Sequence, residues 1–162
     1  MSVEIARTQA RHIKVRPDWL ALRPEQPLEP TLPIIDPHHH LWDRSMLLGQ
    51  LPPPKHAFEH ILRKYPRYLL DDLLADTGSG HNVRATIYLE CGAFYRADAG
   101  PMAPAGEVEF VNGVAAMAAS GLYGKTLACA GIVSTAELLA GADVGRVLDA
   151  LTEFISGASN GL

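Results

Sequence analysis

Extended apolar runs and helical stripes alternate along the chain from Pro33 onward. The first run, Pro33 to Leu41, carries Ile34 and Ile35 and reads as a strand. A long connection containing Pro52-Pro53-Pro54 follows, then Ala57 to Tyr65 and Tyr68 to Ala75, where Leu69, Leu70, Leu73 and Leu74 recur at helical spacing. That segment is expected to lie along a sheet. Val83 to Cys91 is a second strand, introduced by the turn-forming run Gly78-Ser79-Gly80-His81-Asn82. Gly100, Pro101, Pro104 and Gly106 mark the loop after it. The next helix, Glu107 to Ser120, places Val108, Val111, Ala115 and Ala118 on one side, with Glu107 and Glu109 favouring its dipole and Gly121 closing it. Leu127 to Val133 is apolar on both faces, as a parallel strand under helices should be. Asp143 is expected to cap a third helix, striped by Val144, Val147, Leu148, Leu151 and Ile155 and stopped at Gly157.

Residues 1 to 33 read differently. Pro17, Pro24, Pro27, Pro30 and Pro33 recur too often for a helix or a central strand, so this part is expected to be an irregular arm, pinned by Trp19 and Leu20. From residue 34 to 162 the order is strand and helix three times, which means an α/β fold with parallel pairing and right-handed crossovers. A Rossmann half or an open sheet would use the same order, but Gly78-Ser79-Gly80 precedes a strand instead of opening a helix, which weakens a nucleotide reading. A closed eight-unit barrel needs about 250 residues. Three units would leave the third strand with an unpaired edge, so the expectation is either the N-terminal part of a longer enzyme or a truncated product covered by self-association or a partner.

Composition narrows the functional classes. The chain has 162 residues, 48% of them apolar, and a net charge of −4, which fits one soluble domain with a real core. Arg7, Arg11, Lys14 and Arg16 are too scattered to form a basic face for nucleic acid. No apolar run approaches the ~20 residues of a membrane span, and the N-terminus lacks the apolar stretch of a secretory signal, which points to the cytoplasm. Cys91 and Cys129 lie in apolar runs without Cys-x-x-Cys spacing and read as reduced core thiols.

Chemistry concentrates in Ile34-Ile35-Asp36-Pro37-His38-His39-His40-Leu41-Trp42-Asp43, which holds three of the seven histidines. On an extended segment Asp36, His38 and His40 share one face and His39 points the other way. Two imidazoles at that spacing can supply two nitrogen ligands to a divalent metal. Asp36 either accepts an imidazole N–H and fixes its tautomer, or terminates a turn with Pro37. Glu90, at the end of the second strand, is a candidate substrate contact, as are Tyr95 and Arg96 on the following loop. Arg96 or Arg84 would serve as anion partner of a carboxylate-bearing substrate, Arg84 being at the far end of the strand. Trp42 reads as a wall of pocket or core. His12, His56, His60 and His81 fall in polar contexts and read as solvated.

With the His-x-His pair on the first strand of a repeated βα chain, the sequence resembles the amidohydrolase superfamily. Within it the chain is similar to the amidohydrolase-related branch of metal-dependent hydrolases, which holds pyrone dicarboxylate lactonases, sugar lactonases and aromatic-acid decarboxylases. The likeness rests on Ile35 to Asp43, Val83 to Glu90, the Glu107 to Ser120 helix leading to Leu127 to Val133, and Arg16-Pro17-Asp18-Trp19-Leu20. It runs from about Val15 to the end of the chain. The resemblance implies the first three units of a TIM (β/α)8 barrel, with His38 and His40 as ligands at the C-terminal rim of the first strand. It implies a divalent metal, zinc or manganese, that acidifies water and polarises a carbonyl for hydrolysis of a lactone or cyclic ester. Some lactonases of the branch work without a tightly held metal, the histidines then orienting substrate. After His81 the chain has no histidine, so later ligands and the general base are not supplied by these residues. Two alternatives stay open: nonoxidative decarboxylation of an aromatic acid on the same scaffold, and a catalytically inactive binding protein.

Overall fold

A computed structural model describes residue 18 and residues 21–159 of the chain, without the side chains of residues 57 and 157–159. Three parallel strands form the main sheet: β1 (Pro33–His39), β4 (Asn82–Leu89) and β5 (Leu127–Val133), with β4 in the centre. Two two-residue strands, β2 (Trp42–Asp43) and β3 (Arg67–Tyr68), make a separate antiparallel ladder. The helices are α1 (Ala57–Lys64), α2 (Leu70–Thr77), α3 (Ala105–Ala119) and α4 (Val144–Ser159). The described residues thus form a mixed α/β fold with a small parallel sheet, four helices and no closed barrel. The expectation that Trp19 and Leu20 pin the arm lies outside the described residues, as does the Arg16-Pro17 part of the arm motif. Residues 21–32 carry turns and no strand, and Thr31 is tied to the start of β4 through its carbonyl and Asn82 Nδ2 at 2.9 Å.

Burial explains which side of the sheet the helices take. Thr86 and Tyr88 of β4, Ala128 and Cys129 of β5 and His39 of β1 are buried. Leu70 and Leu73 of α2 and Val111, Val114 and Ala118 of α3 pack with Leu41, Tyr88, Ala128 and Cys129 into one cluster. A second cluster, Ala105 and Val108 of α3 with Val147 and Leu151 of α4, joins those helices, and Asn112 Nδ2 donates to the Phe154 carbonyl at 2.8 Å. The opposite sheet face is open. Ile35, Ala85 and Leu127 lie side by side across the three strands, and Leu89 beside Val133. Ile35 is 64% exposed, Leu127 50% and Val133 51%.

Two strand irregularities shape the site end. The β1–β4 register shifts between Asp36 and His39, where Pro37 lacks a ladder N–H, a residue an edge strand or a bulge tolerates. In β5 the register shifts near Cys129, which adopts φ 56°. Its N–H donates to Thr86 Oγ1 at 3.1 Å, so the buried donor is satisfied by a side chain.

Element ends differ from the sequence reading in a few places. Asp143 ends a short 3₁₀ segment and its carboxylate accepts from Arg146 at 2.5 Å, so it pairs with a side chain where a backbone cap was expected. Gly157 does not stop α4, which runs to Ser159. Gly121 does close α3, in the left-handed region at φ 74°. Among the described residues no helix is long and apolar enough to cross a membrane.

Gly106 lies where the loop after β4 presses on α3. A methyl there would collide with the Phe94 carbonyl and sit 2.9 Å from the Arg96 nitrogen, both backbone, whereas one at exposed Gly113 meets nothing within 4 Å. Urea unfolding should show Gly106→Ala lowering stability by about 2 kcal/mol or more. Gly113→Ala should raise it by about 0.5–1 kcal/mol, because a helix interior favours alanine.

Candidate functional site

The register shift at Pro37 lets His38 and His40 converge. Their Nε2 atoms are 3.1 Å apart and the rings meet edge to face, with centroids at 4.9 Å. His40 Nδ1 lies 2.8 Å from the Leu89 carbonyl. A carbonyl only accepts, so Nδ1 carries the proton and the neutral ring leaves its Nε2 lone pair aimed at His38. Asp36 takes the turn role of the two considered for it. Its Oδ1 accepts the His38 backbone N–H at 3.0 Å, and the partner that fixes an imidazole is the Leu89 carbonyl. His39 turns to the covered side, as expected, with Nε2 3.7 Å from Cys129 Sγ and its ring edge-on to Tyr88. Burial lowers its pKa.

The imidazole pair fits part of a metal site. Two nitrogens each about 2.0–2.1 Å from one zinc ion stand roughly 2.9–3.4 Å apart at octahedral to tetrahedral angles. The observed 3.1 Å falls in that interval. Among the described residues no group of three or more His, Cys, Asp or Glu side chains gathers to complete a coordination sphere. The pair therefore offers two positions and no more.

His40 borders two cavities. A basin of about 360 Å³ holds Asp36, His38 and His40 with Tyr68 and Asp76 on its far wall. Tyr68 donates to Asp76 Oδ2 at 2.6 Å, and burial, then that carboxylate, raises its pKa. A second cavity of about 690 Å³ is lined by His40, Arg44 and Cys91, by leucines of the β1–α1 connection and by Phe58, Ile61 and Leu62 of α1. Trp42 lines both, stacked on Tyr68 with centroids 5.2 Å apart and held by Nε1 donating to the Tyr65 carbonyl at 2.9 Å.

The other candidates fall elsewhere. Glu90 directly follows β4, its N–H bonded to the Val133 carbonyl at 2.9 Å. Tyr95 sits near it, and burial together with the Glu90 charge pushes the phenol up to about 12. Neither residue borders the two cavities that contain His40. Arg96 is engaged by Glu109 through both Nε, at 3.1 Å, and Nη2, and lies over the Phe154 ring. Its guanidinium anchors the loop to α3. Arg84 is exposed near the start of β4, at the end away from the histidines.

Glu107 does stand in the first turn of α3, as expected, but it also has a role that the dipole reading did not include. It is 1% exposed, and its Oε1 accepts from Tyr88 Oη at 2.7 Å and from the Cys91 and Ala93 N–H groups at 3.0 Å each. Oε2 has no hydrogen-bond partner among the described residues. Burial, then the Glu107 contact, drives the Tyr88 pKa upward. The signal was present: positions 107, 111, 114 and 118 form one buried stripe of α3. Arg44 was also missed, because one arginine after Trp42-Asp43 carries no periodic signature. Its Nη2 donates to the Cys91 carbonyl at 3.0 Å.

Compared with known proteins, the chain matches no family model, no curated protein and no solved structure.

Two outcomes check this geometry. Glu107→Ala strands three donors, two of them main-chain N–H groups, and should cost about 3 kcal/mol or more in urea unfolding, with Glu107→Gln milder. Both thiols are free, and burial pushes Cys129 up to about 12 and Cys91 upward to a smaller degree. Iodoacetamide at pH 8 should therefore label Cys129 only after denaturation, as read by mass spectrometry.

Proposed function

We propose that the chain is a metal-dependent hydrolase of the amidohydrolase type, acting on a lactone or cyclic ester of a carboxylated small molecule. The observation that carries this reading is the convergence of His38 and His40 at the C-terminal end of β1, with the Leu89 carbonyl fixing the tautomer of one ring. The three parallel strands and their helices are read as the opening units of a (β/α)8 barrel. Its support is the placement of the pair at the strand ends, where such barrels keep their chemistry, and the apolar face of Ile35, Leu127 and Val133 that a barrel would turn inward.

A divalent ion, when bound, supplies Lewis-acid polarisation of a carbonyl and acidifies water. His38 and His40 would hold it through Nε2, and further donors must come from outside the described residues. His40 needs no proton shift to act, since its Nδ1 is already committed to the Leu89 carbonyl. Asp36 holds the turn that aims His38. Trp42 and Tyr68 wall the basin beside the imidazoles.

Zinc and manganese titrations by calorimetry test the reading without relying on turnover. Wild type should take up one ion, and His38→Ala and His40→Ala should each weaken uptake by about tenfold or more. Equal affinity in all three proteins would remove the imidazoles from any metal site and the hydrolase reading with them.

A further inference from the structure

The cavity of about 690 Å³ beside His40 has an unusual polarity. Its body is built from side chains such as Leu48, Leu51, Phe58, Ile61 and Leu62, and no carboxylate lines it. The lining cation is Arg44. Among the described residues Arg44 has no acidic partner; one nitrogen of its guanidinium donates to the Cys91 carbonyl, which fixes the plane of the group and leaves the other donors unclaimed. A half-buried, permanently charged fork at one end of an apolar chamber is electrostatically incomplete. An anion with a planar pair of oxygens satisfies it, and an apolar body behind that anion fills the rest.

We propose that this cavity is a binding site for a bulky apolar carboxylate, with the carboxylate on Arg44 and the hydrocarbon or aryl body between Leu62 and Trp42. The site departs from the sequence expectation, which gave the anion to Arg96 or Arg84. Arg96 is already paired with Glu109, and Arg84 is remote from the histidines. Because His40 borders this cavity as well as the basin of His38, a ligand anchored on Arg44 presents its head end to the imidazole pair. This last placement rests on the hydrolase reading above; the binding itself does not.

Calorimetry on the metal-free protein separates the two. The probes are naphthaleneacetate, the neutral naphthaleneethanol and plain acetate. Wild type should bind naphthaleneacetate with a dissociation constant of about 1 mM or tighter, and acetate not measurably. Arg44→Gln should weaken naphthaleneacetate by about tenfold or more and leave naphthaleneethanol unchanged. Arg44→Lys, which keeps the charge should the glutamine variant misfold, should retain the preference for acid over alcohol. Leu62→Trp, which fills the chamber without altering its charge, should abolish both aromatic probes while circular dichroism stays native. No binding to wild type, as when the chain's own residues occupy the chamber, overturns the proposal. Equal binding of acid and alcohol, or indifference to Arg44→Gln with the fold intact, does the same. A failed zinc titration with successful acid binding sinks only the hydrolase reading, and the reverse result sinks only this one.

Discussion

The carboxylate of Glu107 governs the geometry of everything at the site end of the sheet. One oxygen gathers Tyr88 from the end of β4 and the N–H groups of Cys91 and Ala93 from the loop beyond it. Charge-assisted bonds of this kind, away from water, are among the stronger links a small domain can make. The segment so fixed contains the two carbonyls that orient the site. Leu89 holds His40 and Cys91 holds Arg44. An α3 side chain thus sets the aim of an imidazole and a guanidinium that it never touches. Phe94 stacked on Phe110 at 3.9 Å and Arg96 on Glu109 continue the same clamp along the helix.

Much of the fold could be read from pattern, because its elements are driven by burial. Leu127–Val133 matches the predicted strand to the residue, and α3 begins two residues before its predicted start. The ladder of Trp42–Asp43 with Arg67–Tyr68 was not legible, since two-residue strands have no period to detect. Strict alternation through Asp36, His38 and His40 failed at Pro37, where the missing N–H breaks the register with β4. The conclusion that two imidazoles meet survives, by way of a bulge instead of a regular strand. Arg96 illustrates a different limit. Its loop position was read correctly, but a pairing thirteen residues along the chain decided its use.

The main sheet has one insulated side and one bare side. On the covered side Thr86 answers the Cys129 N–H, and His39 packs against thiol and phenol with its Nδ1 lacking a hydrogen-bond partner among the described residues. On the bare side three strands present aliphatic side chains to the surroundings. Outer-edge hydrogen bonds of β1 and β5 have no neighbour among the described strands.

Two of the three donors that hold Glu107 belong to the main chain, and a main-chain donor persists whatever side chain its residue carries. The anchor's main-chain bonds are thus indifferent to side-chain chemistry at positions 91 and 93, although Ala93 is buried and the Cys91 thiol reaches the Leu41 carbonyl. Gly92, between them at φ 70°, is the exception, because most other residues would resist that backbone shape. The turn therefore keeps its grip on Glu107 through backbone shape, with the glycine supplying the bend and its neighbours the donors.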